Sequence, residues 1–134
     1  KRQSIIDINM AHSDELINIS GIGYKRASYI IEYGNKLGGY LRVNQLKEVY
    51  SISDSLYESV KKQFFISDSL VKKININICS AKDLVNHPYV NWNLANAIVN
   101  YRQQHGQYKF KEKIKEIHLV NEKIYLKIAP YLKL

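Results

Sequence analysis

Ile19-Ser20-Gly21-Ile22-Gly23-Tyr24-Lys25-Arg26-Ala27 places a Gly-x-Gly turn between two short segments whose apolar residues recur at helical spacing. Glycine reaches positive φ without a Cβ penalty and lets another backbone come close. The helix that follows begins with N–H groups that have no intrahelical partner, and it carries a partial positive charge there. Both effects favour an anion, and a phosphate suits that geometry. Nucleic acid is the first partner to consider. Taken alone the turn is equally a compact link between packed helices, with Lys25 and Arg26 solvated, so its surroundings decide its meaning.

Those surroundings are duplicated. Sliding the chain on itself by ~68 positions aligns residues 6 to 66 with 74 to 134 without a gap. Ile6/Ile74, Ile8/Ile76, Asn9/Asn77, Leu16/Leu84, Ala27/Ala95, Ile30/Ile98, Tyr33/Tyr101, Gly38/Gly106, Tyr40/Tyr108, Glu48/Glu116 and Tyr57/Tyr125 all match, and Ile31/Val99 and Leu46/Ile114 extend the apolar pattern. Residues 1–67 and 68–134 are expected to be two copies of one unit.

Each copy reads as four or five short helices, so the fold class is all-α. Ser13 or His12 is the expected first cap, with Asp14 and Glu15 in the first turn, and Ser80 with Asp83 forms a capping-box pair in the second copy. The second helix of copy one runs from about Ile22 to Tyr33 and stops near Gly38-Gly39. Further helices are expected near Val43 to Val49 and Asp54 to Phe64, joined by Tyr50-Ser51-Ile52-Ser53, which resembles a second, worn turn. In copy two the last helix is expected to end at Pro130. Ile74-Asn75-Ile76-Asn77 alternates but reads as an extended lead-in to a helix rather than a strand, and Phe65 to Lys73 link the copies.

With 46% hydrophobic residues the chain can bury one ordinary core or two small ones. Its net charge of +8 suits a polyanion. The charge is uneven: residues 1 to 67 carry 9 basic and 7 acidic side chains, net +2, and residues 68 to 134 carry 11 and 5, net +6. The densest run is Lys109-Phe110-Lys111-Glu112-Lys113-Ile114-Lys115, where a helix starting near Lys111 would spread its lysines over more than one face. Cys79 is the only cysteine and reads as a small buried residue near a helix start. His12, His87, His105 and His118 lack metal-ligand spacing and read as cap, loop or surface positions, so no metal is expected. No apolar run approaches the roughly 18 residues that span a bilayer. The chain starts at Lys1 rather than Met, consistent with a mature fragment whose signal or anchor has been removed.

The run Leu16-x-x-Ile19-Ser20-Gly21-Ile22-Gly23-x-x-x-Ala27-x-x-Ile30-x-x-Tyr33 resembles the helix-hairpin-helix motif. The wider unit, from Asp7-Ile8-Asn9 through Gly38-Gly39-Tyr40 to Leu46-Lys47-Glu48-Val49, resembles the tandem-hairpin domain of ComEA-type competence proteins. The doubled arrangement, with His87-Pro88-Tyr89 and Trp92-Asn93-Leu94-Ala95-Asn96-Ala97, resembles versions common among Bacteroidetes. The resemblance implies two tandem helix-hairpin-helix units, SAM-like or ComEA-like helical bundles. It also implies binding of double-stranded DNA without sequence preference, in bacterial DNA uptake, on the periplasmic face of an inner membrane. It implies no cofactor and no small-molecule substrate. The places of Gly21 and Gly23 are taken by Tyr89 and Asn91 in copy two, and by Ser51 and Ser53, then Leu119 and Asn121, in the late turns.

The expected DNA contacts are therefore the amides around Gly21, Ile22, Gly23 and Tyr24, attraction from Lys25, and Arg26 reaching a phosphate or an acidic neighbour. Lys109, Lys111 and Lys113 are expected to supply a diffuse field in copy two. Tyr24, Tyr89 and Trp92, on or near turns, are candidates for exposed contacts. Lys25 also sits two residues after Gly23, the place of the Schiff-base lysine in bifunctional DNA glycosylases with a hairpin motif. Gly39 to Leu46 lacks the carboxylate such chemistry needs, so no enzyme is expected. The rival to DNA binding is a protein-interaction or assembly module, with Tyr89, Val90 and Trp92 as an aromatic anchor in copy two.

Overall fold

The backbone N–H of His12 donates to Glu15 Oε1 at 2.9 Å and opens α1, Ser13–Leu16. In this computed structural model, which describes residues 5–67 and 71–134, α2 follows over Tyr24–Leu37 and stops at Gly38, whose φ of 90° is the left-handed conformation that ends helices. A 3-10 helix covers Val43–Glu48, α3 runs Asp54–Val60 and a 3-10 turn spans Lys61–Gln63. The second copy repeats the order with α4 (Ala81–Val85), α5 (Trp92–His105), a 3-10 helix (Lys111–Glu116), α6 (Glu122–Ile128) and a 3-10 turn (Ala129–Tyr131). Ser80 and Asp83 cap α4 reciprocally, at 2.9 and 3.1 Å. The chain divides into two units between Val71 and Lys72. Asp68, Ser69 and Leu70 of the expected linker, and residues 1 to 4, lie outside the described residues.

The strand reading needs correction. β1 (Ile6–Asp7) pairs in parallel with β2 (Phe64–Phe65), and β3 (Ile74–Asn75) pairs in parallel with β4 (Leu132–Lys133). Each ladder fastens the start of a unit to its end. Two residues are too few for alternation to reveal a strand, and Phe65, expected as linker, belongs to one. The last α-helix stops at Ile128, two residues before Pro130, which lies inside the 3-10 turn that follows, where its missing N–H is tolerated.

The residues that match between copies are those that build the cores. Leu16, Ala27, Ile30, Leu46 and Tyr57 are buried in the first unit, and Leu84, Ala95, Ile98, Ile114 and Tyr125 in the second. Polar matches are staples. Asn9 Nδ2 donates to Tyr40 O (2.9 Å) and Asn9 Oδ1 accepts from Tyr40 N–H (2.7 Å); Asn77 and Tyr108 repeat the pair at 3.0 and 2.7 Å. Tyr40 Oη donates to Ile30 O at 2.6 Å, and Tyr108 Oη to Ile98 O at 2.7 Å. Burial pushes the Tyr108 phenol far above its ordinary pKa, which keeps it a donor at any physiological pH. Tyr33 and Tyr101 reach Glu48 and Glu116, each at 2.7 Å, tying α2 and α5 to the following 3-10 helices.

Candidate nucleic-acid interface

Gly21 has φ of +93°, and a Cβ there would lie 2.7 Å from Leu56 Cδ1. Backbone conformation and close approach both require glycine. Gly23 differs: its φ is −93°, open to any residue, and a Cβ there would meet nothing within 4 Å. What Gly23 provides is the absence of a side chain at the N-cap of α2. The first helical bond is Ala27 N–H to Gly23 O at 2.9 Å, and no side chain accepts from the amides before it. Tyr24, Lys25 and Arg26 therefore direct N–H groups outward from a helix start. Ile22 does not join them: its side chain is 2% exposed and its amide donates to Ile19 O at 3.0 Å.

The worn turn of the first unit keeps the backbone of the intact one. Ser51, in the place of Gly21, has φ of 75°, a conformation that disfavours an L side chain by roughly 1–2 kcal/mol. Arg26 joins the two turns, its Nε donating to Ser51 O at 3.0 Å and its Nη1 to Gly21 O at 3.1 Å. In place of an acidic neighbour, Arg26 has these two backbone carbonyls as partners within the unit. The guanidinium fork matches two carbonyl oxygens, and Arg26 positions both turns while leaving its charge beside them. Between the turns lies an open cleft of about 350 Å³ lined by Gly23, Lys25, Arg26, Tyr29, Tyr50 and Ser51. Lys25 is exposed and makes no ion pair among the described residues. Tyr24 and Tyr50 are 73% and 76% exposed.

A family model described as the helix-hairpin-helix motif matches residues 1–65 and again residues 71–133. The chain belongs to the helix-hairpin-helix family. Such motifs generally bind nucleic acid, in keeping with a cleft lined by glycine, amides and cations. No curated protein and no solved structure matches the chain.

The second helix-hairpin-helix unit holds its turns differently. Tyr89 and Leu119, in the places of Gly21 and Ser51, are not among the positive-φ residues. Asn91 at the N-cap of α5 accepts from Leu94 N–H at 2.8 Å, and Asn121 accepts from Ile124 N–H at 2.8 Å. At each of these helix starts a side chain already occupies one of the amides that an anion would use. Buried Leu94 stands where Arg26 ties the first unit's turns. His87 lies in the turn after α4, one of the loop positions expected of the histidines, but it is buried in place of Ile19, and its Nδ1 accepts from Tyr89 N–H at 3.1 Å. Tyr89 packs edge-on against His87 and Tyr131, with Lys127 Nζ 4.3 Å from its ring centre, so it is a packed residue and not a free contact.

The lysine run is less free than its composition suggests. Lys111 Nζ donates to Ala129 O at 2.9 Å, Lys113 pairs with Glu116 at 3.0 Å and Lys115 with Glu122 at 3.0 Å. Spacing explains part of this: in a 3-10 helix, residues three apart eclipse one another and bring Lys113 over Glu116. The carboxylate holds the Lys113 ammonium above its ordinary pKa. Of the expected contacts Lys109, Lys111 and Lys113, only Lys109 is exposed without a partner among the described residues. Cys79 is buried near the start of α4, and burial pushes its thiol up. Among the described residues there is no cluster of three His, Cys, Asp or Glu suited to a metal, and no helix long and apolar enough to cross a membrane.

Sequence reading missed Tyr29, Tyr50 and Ser51 as cleft residues. The signal was present in the repeat. Within the aligned copies all six lining positions change: Gly23, Lys25, Arg26, Tyr29, Tyr50 and Ser51 become Asn91, Asn93, Leu94, Ala97, His118 and Leu119.

Proposed function

We propose that the first unit binds double-stranded DNA without sequence preference, through backbone phosphates held at the amides that open α2. One observation carries this reading: α2 begins at a residue with no capping side chain, beside exposed Lys25 and across a cleft from the second turn. Such contacts position a duplex without reading bases. Placement of a charge at an exposed helix start contributes roughly 0.3–1 kcal/mol, so Lys25, the Arg26 charge and the unit's surrounding cations must act together. The resemblance to ComEA-type proteins supports a role in bacterial DNA uptake, and the chain reads as a binding module rather than a catalyst. Anisotropy of labelled random duplex across a salt series tests the reading: affinity should fall steeply with salt and be independent of sequence.

A second reading, that the second unit docks a protein, is favoured by Trp92 and Leu119. They take the places of Tyr24 and Ser51 and are 53% and 45% exposed. Trp92 is the only tryptophan, so its emission reports on this face directly. Unchanged emission at saturating duplex supports a separate role for the second unit, and strong quenching places Trp92 on DNA.

A further inference from the structure

We propose that the cleft between the two turns of the first unit is a subsite for one unpaired nucleotide, its base stacked on Tyr50 and its phosphate at Lys25. The inference rests on the phosphate reading and adds a preference that the phosphate contacts lack. Tyr50 is 76% exposed, although a core lies one residue away in Val49, and it projects over the cleft wall. Its ring meets Tyr29 at 83° with centroids 5.2 Å apart. A T-shaped contact engages one face or one edge of each ring, so at least one face of Tyr50 stays open to a planar partner. Tyr29 braces the ring from α2, the helix that also carries Lys25 and Arg26. A cleft of about 350 Å³, with cations on one wall and an aromatic ring on the other, has the two surfaces a nucleotide presents, an anionic group and a π-face. Inside a duplex a paired base keeps both π-faces in the stack, so away from duplex ends the ring can act only on a base that is unpaired, at a tail, gap or single strand. The second unit puts His118 and Ala97 in the places of Tyr50 and Tyr29, and Asn93 in that of Lys25, and so lacks the same site.

The test uses the full chain and three labelled probes at one salt concentration: a blunt duplex, the same duplex with a single-stranded tail, and the tail strand alone. The unsubstituted chain should bind the tailed duplex about tenfold more tightly than the blunt one, the range of one base–aromatic stack. Tyr50→Ala should bring the tailed probe to the blunt level, costing the tailed probe about tenfold more than the blunt one, while Tyr50→Phe keeps the preference because the ring remains. Far-UV circular dichroism should be the same for all three proteins, as expected for so exposed a side chain. Blunt binding without any preference for the tail overturns the nucleotide subsite and leaves the phosphate reading standing. Equal loss on every probe in Tyr50→Ala also overturns it. Failure to bind any of the three probes overturns both.

Discussion

In the first unit α2 starts at Gly23 with its leading amides uncovered; in the second, α5 starts at Asn91, whose side chain already accepts from Leu94 N–H. The first unit's two turns each hold a left-handed residue, Gly21 and Ser51, and Arg26 fastens them together. The second unit has neither left-handed residue at these places, and Leu94 replaces the arginine. Yet Asn9 and Asn77, Tyr40 and Tyr108, and Tyr33 and Tyr101 make the same bonds in both. The scaffold and the proposed anion site are thus set by different residues, and one can be altered while the other persists.

The largest effect is expected at the glycine that the first unit needs twice. Gly21→Ala should destabilise that unit by roughly 2–3 kcal/mol, from positive φ together with crowding of Leu56, as read by urea unfolding. Gly106→Ala, with φ of 86°, ψ of −175° and open space at the Cβ position, should lose only the conformational part, roughly 1–3 kcal/mol in a region essentially confined to glycine. A loss of only about 1–2 kcal/mol in Gly21→Ala, the conformational part alone, would remove close approach from the explanation.

Asn9→Ala and Asn77→Ala should each destabilise by about 1–2 kcal/mol and by similar amounts, since each breaks the same half-buried pair of bonds to a tyrosine backbone. Markedly unequal values would mean that the shared scaffold is not energetically shared. Ser51→Gly should stabilise the first unit by up to about 1 kcal/mol by relieving its left-handed side chain. Leu119→Gly at the same place in the second unit should instead destabilise, because no strain is there to relieve. The smallest change is in salt dependence. Lys25→Gln should flatten the slope of log K against log salt by up to about 0.9, and Lys113→Gln, already paired with Glu116, should leave it nearly unchanged.

The helices and the duplication were legible because buried Leu16, Ala27 and Ile30 recur at helical spacing and return as Leu84, Ala95 and Ile98. The identity of Asn9/Asn77 was visible, but its meaning was not: the partner backbone lies 31 residues away. The parallel ladders escaped because two residues show no period. Gly21 and Gly23 looked alike in sequence and serve different ends, one for φ and one for an open helix start. The bond from Arg26 to the second turn was not foreseen, since nothing local shows that Ser51 O comes within 3.0 Å. The lysine run was read as a field because its composition is basic, whereas the folded chain commits Lys111 to a carbonyl and Lys113 to a carboxylate.

The direct test of the division between units is to give the first unit the second unit's cap. Gly23→Asn has ordinary φ and open space at the Cβ position, so it should preserve the fold and stabilise α2 by a few tenths of a kcal/mol. Random-duplex affinity, read by anisotropy at low salt, should nevertheless fall by about two- to fivefold as the new side chain covers one of the amides proposed to hold phosphate. An unchanged affinity in a folded Gly23→Asn protein would contradict the account.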